Sequence, residues 1–450
     1  MQKQEIRIDF DKKCGKIKPV NCINGGPRSG GYNLPFDFST EFSEMDVPFV
    51  RTVGTAGEYG MNQYINVHCI FPDFSADENL EESYNFLPTD LYLASIRGTG
   101  ADIFYRLGES REPYSRKLYA KAPSDMEKWA RICEHIIMHY NEGWANGFKW
   151  NIKYWEIWSA PDTAECWQDD ASEYFELYRV TANHLRARFP RIKIGAYGAR
   201  GFYSLNRLDA TEEMKTYVPF MQKFLSYITA EGTSAPLDFF TWACYTGNPD
   251  EIMMHSQYAR SYLDGAGLRR TKSIICEYNT LLRDGTPSAL REGYLAELST
   301  ALIIAQKSSA DMMMYSTSDV YSRENGLFSI DDCTTPHHYA GYQVMRSFAK
   351  LAFLGNVVDS GDDCRKQIYT LATYNGKEAE LMISVPRFEG RLEIQLLNSE
   401  LNLCTVTKLS PVGARGKGTV YRSKELAING GKIILPVKCG EVYTVSCFSR

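Results

Sequence analysis

Eight short apolar runs recur between Asn21 and about Gly355, and each is followed by a turn and a stretch of helical periodicity. Strands that alternate with helices pair in parallel, because the crossover to a parallel neighbour needs a helix-sized connection. Eight such units predict a closed (β/α)8 (TIM) barrel of the α/β class, of about 250 residues or more. The predicted strands are Val20–Asn24, Phe49–Val53, Asp102–Leu107, Tyr154–Trp158, Lys193–Ala196, Asp238–Tyr245, Ser273–Cys276 and Asp311–Tyr315.

Two of the helices between these strands are predicted with defined ends. Ser124 and Glu127 have capping-box spacing ahead of an apolar stripe, which predicts a helix from Ser124 to Asn141. A second helix, from Ala171 to Arg188, is predicted to stop before Pro190, because proline cannot continue a helix.

After about Val357 the chain changes to short segments of alternating polar and apolar residues, separated by turn signals such as Asn375-Gly376. This texture predicts a small antiparallel β-sandwich. Because Glu5–Phe10 alternates in the same way, we expect it to add a strand to that sandwich. The predicted domains are therefore a catalytic barrel over residues 18–355 and an accessory β-sandwich formed by residues 1–17 and 356–450.

Charge and composition restrict the kind of partner. The net charge is −5 with dispersed basic residues, so we expect neither nucleic acid nor an anionic membrane surface as a partner, and a neutral or small polar partner fits better. No apolar run reaches the roughly 18 residues of a membrane span, and the first residues lack a signal-type apolar block. The sequence predicts a cytoplasmic protein unless a signal peptide has been removed, and it leaves the oligomeric state open.

No cofactor or metal site is expected. The chain has no HExxH, P-loop or strand-linked GxGxxG pattern. Its twelve cysteines are scattered without zinc-type spacing, so buried free thiols are predicted rather than disulfides.

Active groups in a barrel of this kind stand at the carboxyl ends of the strands. The fourth run ends in Trp158-Ser159-Ala160-Pro161-Asp162, and the seventh ends in Cys276-Glu277-Tyr278. Glu277 follows four strand residues, so its carboxylate is expected at the barrel mouth. A carboxylate held there on a rigid strand is what the nucleophile of a glycosidase needs, although such a residue also often only caps the next helix. Retaining sugar hydrolysis needs a second carboxyl group about 5–5.5 Å from the nucleophile. Residue 160 is 117 positions before Glu277, about three strand–helix units, which suits opposed strands. Ala160, however, has no proton to donate.

The segment Tyr154–Asp162, with Cys166-Trp167 after it, resembles the WEIWNEPD…FW signature of glycoside hydrolase family 39, the β-xylosidase and α-L-iduronidase family of clan A. Cys276–Thr280 resembles the TEYNT nucleophile motif of that family. The resemblance implies a retaining exo-glycosidase acting on an oligosaccharide or glycoside, on a (β/α)8 barrel with an appended β-sandwich. It places the nucleophile at Glu277 and the acid/base at residue 160.

The chain departs from the family pattern at three positions of this site. Ala160 stands at the acid/base position, Ser159 stands where the clan carries an Asn, and Ala243 aligns with a His. Either residue 160 was changed deliberately from Glu, to trap a substrate complex, or the lineage lost the acid naturally. In both cases the chain is expected to be inactive or weak on natural substrates. Four other loop carboxylates are candidate replacement acids, although each also suits a capping or turn role: Asp162, Glu165, Glu58 and Asp319.

Further residues are candidates for contact with the substrate. The resemblance places His68 in the sugar subsite. Tyr245 is a candidate to hydrogen-bond Glu277 and keep it ionised, and Arg28, in the glycine-rich first strand–helix loop, is a candidate to contact a polar or anionic group of the substrate. Aromatic residues suited to stacking on a sugar are Trp158, Trp167, Trp242, Tyr278 and Tyr315, of which Trp158 and Tyr315 suit the core equally. The rival hypothesis is a non-catalytic carbohydrate-binding pseudoenzyme with an inactive barrel pocket.

Overall fold

The computed structural model describes residues 2–27, 38–52, 65–109, 111, 115–280, 293–316, 327–330, 336–361, 367–411 and 419–449.

The strands in chain order are β1 (Lys3–Lys16), β2 (Cys22–Asn24), β3 (Phe49–Arg51), β4 (Asp102–Leu107), β5 (Tyr154–Ile157), β6 (Lys193–Ala199), β7 (Phe239–Tyr245), β8 (Lys272–Asn279), β9 (Met312–Tyr315), β10 (Phe328–Ile330), β11 (Pro336–His338), β12 (Asn356–Asp359), β13 (Tyr369–Tyr374), β14 (Glu378–Val385), β15 (Gly390–Leu397), β16 (Leu403–Pro411), β17 (Thr419–Ala427), β18 (Lys432–Val437) and β19 (Glu441–Phe448). The α-helices are α1 (Ser39–Glu44), α2 (Val67–Ile70), α3 (Leu87–Gly98), α4 (Met126–Asn141), α5 (Ala171–Arg188), α6 (Met214–Thr229), α7 (Asp250–Gly265), α8 (Tyr294–Lys307) and α9 (Ala340–Leu354).

Strands β2 to β9 close into a parallel barrel in chain order. Each predicted run overlaps one of these strands, so the predicted (β/α)8 barrel is confirmed. Strands β6 and β8 each extend three residues beyond the predicted carboxyl end. Glu277 therefore lies within β8 and not after it, which corrects the sequence-based boundary.

The barrel strands are buried on both faces, and their residues alternate between two cores. Inside the barrel, Phe104, Tyr154, Phe239 and Ile274 form one apolar cluster. Their neighbours point outward into the larger core under the helices, as Trp155 does beside Tyr154. This period of two is what a strand requires, since successive side chains point to opposite faces.

Two β-bulges change that alternation near the mouth. In β8 the register with β7 slips at Cys276, so that Trp242 pairs with Ile275 and Ala243 with Glu277. In β6 the slip falls between Ala196 and Ala199. A bulge sets two residues against one and turns the following side chains to the other face. The bulges therefore direct into the barrel the residues that follow them, Glu277 on β8 and Arg200 after β6.

Helix α5 has the predicted bounds, whereas the predicted cap of α4 is wrong. The Asp125 side chain, not that of Ser124, accepts a hydrogen bond at 2.8 Å from the Lys128 backbone N–H. Asp, like Ser, is a preferred N-cap because its oxygen satisfies a free N–H of the first turn. The capping-box spacing was therefore one residue out of register with the helix.

The remaining long strands form one nine-stranded sheet in the order β17-β16-β19-β14-β13-β12-β1-β15-β18. The predicted contribution of the amino-terminal segment is confirmed, because β1 pairs antiparallel with β12 and parallel with β15. The sheet is mostly antiparallel and curls until strands from its two ends share one core, where Val406 of β16 and Ile433 of β18 belong to the same cluster. The accessory unit is thus one continuous, nearly closed sheet.

Helices α8 and α9 lie between the barrel and this second sheet. The Ser384 hydroxyl of β14 donates a hydrogen bond to the Ala296 carbonyl of α8 at 2.7 Å and bonds the Thr300 hydroxyl at 2.8 Å.

Cysteines within the described ranges are all free thiols, as predicted, although Cys14 and Cys439 are exposed. Within the same ranges, no helix is both long and apolar enough to cross a membrane.

Candidate active site

Charged and hydroxyl side chains from four strands converge at the carboxyl-terminal mouth of the barrel. Arg51 ends β3, Arg200 follows β6, Tyr245 ends β7 and Glu277 stands near the end of β8. Their hydrogen bonds join them into one network. This is the place where barrel enzymes carry their reacting groups.

The Glu277 carboxylate receives three side-chain hydrogen bonds. Its Oε1 accepts from Arg51 Nη1 at 3.3 Å, and its Oε2 accepts from Tyr245 Oη at 2.8 Å and from Arg200 Nη1 at 3.3 Å. Burial raises the pKa of Tyr245 well above its ordinary value, so its hydroxyl remains a neutral donor. Glu277 keeps 12% of its side chain exposed, which leaves the carboxylate open to a ligand.

Arg51 lies beneath the site and contacts residues of both β5 and β8. It is fully buried, and its Nε donates to Glu156 Oε2 at 2.7 Å. Its other nitrogens donate to Asn24 Oδ1 at 3.0 Å and to Ser159 Oγ at 3.3 Å, besides Glu277. A buried cation needs such compensation, because an unpaired one would carry a penalty of several kcal/mol. The set holds Arg51 rigid under Glu277.

The turn after β5 is held in a strained conformation. Trp158 and Ala160 have φ angles of 71° and 51°, in the left-handed region that costs a non-glycine residue roughly 1–2 kcal/mol. The Ala160 backbone N–H donates to the Tyr197 carbonyl at 2.7 Å, and its carbonyl accepts from the Thr163 N–H at 3.1 Å. These hydrogen bonds keep the turn in a defined shape, although the side chain at position 160 is only a methyl group. Backbone strain of this kind concentrates at functional sites.

Asp162 lies in the wall beside this turn. Its Oδ2 accepts a hydrogen bond from the Arg200 backbone N–H at 2.8 Å, and its Oδ1 has no partner among the residues described. Burial raises the pKa of Asp162 to about 7, so the carboxyl group is largely protonated below neutral pH. The contact shows Asp162 anchoring the backbone that carries Arg200.

The other three candidate replacement acids are Glu165, Glu58 and Asp319. Glu165 lies on the surface in an ion pair with Arg111, with its oxygen 2.6 Å from the guanidinium Nη2. Glu58 and Asp319 lie outside the described residues, as does Arg28.

His68 forms a second polar group at the mouth, on the short helix α2. Its Nδ1 is bonded to the Glu109 carboxylate, and its ring stacks on Tyr119 with centroids 3.7 Å apart. Burial acts to lower the pKa of His68, but bonds with Cys69 and Glu109 outweigh it and raise the value to about 10. His68 is therefore an imidazolium paired with Glu109 at neutral pH.

The aromatic residues proposed to stack on a sugar are buried in the structure, each with at most 4% of its surface exposed. Trp242, Tyr278 and Tyr315 belong to the core between the strands and the helices. Trp158 packs edge-on against Trp167 with ring centroids 5.0 Å apart, and its indole N–H donates to the Cys166 carbonyl at 3.0 Å. Because these rings present no open face, we correct the expectation that they stack on a substrate.

Sequence reasoning missed the two arginines that contact Glu277. Arg51 had a signal, since it is a charged residue at the end of an apolar run. Arg200 had none, because it lies beyond the predicted end of its strand and reaches the interior through the β6 bulge. The backbone geometry had to be known before this residue could be assigned.

Comparison with known proteins agrees with this architecture. The sequence profile of glycosyl hydrolases family 39 matches residues 8–345. A β-xylosidase of Geobacillus stearothermophilus is 21% identical over 246 residues, which cover 51% of this chain and 48% of that protein. The chain thus spans about half the length of this curated relative.

Two solved structures have the same fold over their whole length. A glucosidase from Croceicoccus marinus superposes with a TM-score of 0.78 at 20% identity, covering 100% of both chains. A monomeric β-xylosidase from Caulobacter crescentus CB15 superposes with a TM-score of 0.71 at 13% identity, covering 99% of each. At these identities the likeness establishes the fold.

Proposed function

The chain belongs to glycosyl hydrolases family 39, and from this premise we propose that it is a retaining exo-glycosidase with Glu277 as its nucleophile. The observation that carries the proposal is the convergence of Arg51, Arg200 and Tyr245 on one carboxylate at the barrel mouth. A carboxylate held on a strand by three donors has one fixed direction of attack, which a displacement at carbon requires.

In the proposed mechanism, the Glu277 carboxylate attacks the anomeric carbon and forms a covalent glycosyl-enzyme, which water then hydrolyses. Arg51 and Tyr245 orient the carboxylate throughout. In family members with an acid at the residue-160 position, that group protonates the leaving oxygen. Ala160 cannot, so this chain hydrolyses substrates whose leaving group departs without a proton and is slow on ordinary glycosides.

The sugar is proposed from the relatives, two of which are named as β-xylosidases and one as a glucosidase. The substrates to test first are therefore β-xylosides and β-glucosides. An oligosaccharide or small glycoside would bind at the carboxyl-terminal mouth of the barrel, where Glu277 keeps 12% of its side chain exposed.

A covalent trapping experiment tests the function. The protein is incubated with 2,4-dinitrophenyl 2-deoxy-2-fluoro-β-xyloside and the corresponding β-glucoside, and intact mass is measured. We expect one fluoroglycosyl adduct per chain, located by peptide mapping at Glu277. An adduct at another residue, or no adduct and no turnover with either sugar, rejects the mechanism.

The methyl group at position 160 favours a second candidate, a non-catalytic carbohydrate-binding protein. This alternative predicts sugar binding that survives the Glu277→Gln substitution, with no covalent adduct and no release of dinitrophenol. The trapping experiment therefore separates the two candidates in one measurement.

A further inference from the structure

Arg200 spans the two sides of the candidate site. Its backbone N–H is held by Asp162 at 2.8 Å, in the turn that carries Ala160, and its Nη1 lies 3.3 Å from Glu277 Oε2. The side chain is 38% exposed, whereas the other arginine on Glu277, Arg51, is fully buried. Arg200 is thus the cation of this pair that a ligand can reach.

The guanidinium of Arg200 is not saturated. Its Nε and Nη2 make no hydrogen bond to any residue in the described part of the chain. Its contact with Glu277, at 3.3 Å, is longer than the 2.7–2.9 Å usual for a charge-assisted bond. Arg200 therefore has donors available for a second anionic acceptor at the barrel mouth.

The charges around Glu277 change during the proposed reaction. Before attack, the ion pairs that the described residues make with Glu277 come from Arg51, which also pairs with Glu156, and from Arg200. When Glu277 becomes a glycosyl ester, its charge disappears. Arg51 keeps its pair with Glu156 at 2.7 Å, whereas Arg200 loses the one ion pair that it makes within the described part of the chain. A partly exposed cation is then left unpaired in the site.

The departing group leaves without a proton, because Ala160 offers none. We propose that the leaving group is the anion of an oxyacid, a carboxylate or a phosphate, and that Arg200 receives it as Glu277 is glycosylated. The substrate class is then a glycosyl ester or a glycosyl phosphate. This inference rests on the proposed function of Glu277 as nucleophile.

The reaction balances without an acid residue. The bond from Glu277 to the anomeric carbon forms as the bond to the leaving oxygen breaks, and the electron pair stays on that oxygen. The Arg200 guanidinium exchanges the lost Glu277 charge for the new oxyanion, to which it presents two parallel N–H donors. In the second half, water attacks the anomeric carbon, the Glu277 carboxylate is released, and the proton passes to solvent.

The test compares leaving groups that need no proton but differ in charge. The 1-O-benzoyl sugar and the sugar 1-phosphate release anions, whereas an N-glycosyl pyridinium salt releases neutral pyridine. Each is prepared in the β-xylo and β-gluco series and assayed with the wild type, Arg200→Met and Arg200→Lys. We expect Arg200→Met to lower kcat/KM about 10- to 100-fold more on the ester or the phosphate than on the pyridinium salt, whose own change measures the loss of the Arg200 contact with Glu277. Arg200→Lys should retain part of the activity.

Arg188→Met is the matched control, since Arg188 pairs with Glu142 where α5 and α4 end, remote from the mouth. Arg188→Met should leave kcat/KM unchanged on every one of these substrates. If Arg200→Met slows ester, phosphate and pyridinium salt equally, Arg200 only positions Glu277 and the inference is wrong. Cleavage of the pyridinium salt without cleavage of either oxyacid substrate also overturns it, while leaving the function of Glu277 intact. Failure of every substrate, with no fluoroglycosyl adduct, rejects the proposed function itself. The substrate with the higher wild-type kcat/KM, the ester or the phosphate, shows whether the leaving anion is a carboxylate or a phosphate.

Discussion

On the β8 side of the barrel mouth, the Glu277 carboxylate is held by three side-chain donors, whereas position 160, in the turn after β5 three strands away, carries only the methyl group of an alanine. The backbone of that turn is nevertheless maintained, with two positive φ angles and a hydrogen bond from Ala160 to Tyr197. In the proposed mechanism, attack depends on the β8 side and protonation of the leaving group depends on the β5 side, so the two sides can be tested separately.

The largest effect should come from removing the proposed nucleophile. Glu277→Gln is expected to lower kcat/KM on a 2,4-dinitrophenyl glycoside by roughly 10⁴-fold or more, because the amide cannot attack the anomeric carbon. Glu142→Gln, which breaks a surface pair with Arg188, is the control. If Glu277→Gln keeps most of the activity, the β8 side is not the reacting side.

The next largest effect should come from introducing an acid at position 160, on the β5 side. Ala160→Glu is expected to raise kcat/KM on a methyl glycoside by about 10²–10⁴-fold, the contribution of a positioned general acid. A dinitrophenyl glycoside should change less than tenfold, because its leaving group needs no proton. Equal gains on both substrates would contradict the assignment of position 160. Ser159→Asn tests whether any change in this turn has the same effect.

The hydrogen bond from Tyr245 to Glu277 should matter less than the carboxylate itself. Tyr245→Phe removes the 2.8 Å donor and is expected to lower kcat/KM by about 10- to 100-fold, the value of one bond to a charged group. Tyr227→Phe is the matched control, since its hydroxyl donates to Glu176 on the outer helices. A change below threefold for Tyr245→Phe would show that the arginines alone orient Glu277.

The smallest effect concerns stability on the β5 side. Burial raises the pKa of Asp162 from 3.8 to about 7, so its contribution to stability is complete below pH 3.8 and is lost as pH rises through about 7. The free energy of unfolding of Asp162→Asn should therefore rise relative to that of the wild type by about 2–3 kcal/mol between pH 5 and pH 8. Thermal melting of both proteins at pH 5 and at pH 8 measures this difference. Glu165→Gln, at an exposed ion pair, should show no such trend, and parallel curves for Asp162→Asn would contradict the raised pKa.

Much of the fold was predictable from local patterns. The eight apolar runs separated by helices led to the barrel, and the alternating segments led to the second sheet, because burial on two faces or on one leaves different periods in the sequence. The separation of residues 160 and 277 placed them on opposed strands for the same reason. The cap of α4 was missed by one residue, since Ser124 and Asp125 are both good caps and only the backbone geometry selects between them.

Burial of the aromatic residues could not be read from residue type. Trp242 and Tyr278 belong to strands that carry the site, yet they point outward to the helices. Their orientation depends on the parity of each strand, and a bulge changes that parity. An aromatic residue near a strand end is therefore a weak indicator of a sugar subsite.

The sequence by itself determined the barrel, the family motifs, Glu277 as the candidate nucleophile and the absence of an acid at Ala160, because each depends on residue identity or on local period. Only the tertiary structure decided which charges surround Glu277. Arg51, Arg200 and Glu277 lie far apart along the chain, and two bulges, in β6 and β8, turn Arg200 and Glu277 into the same interior. A register slip of one residue leaves no period in the sequence, since its effect appears only where neighbouring strands pair.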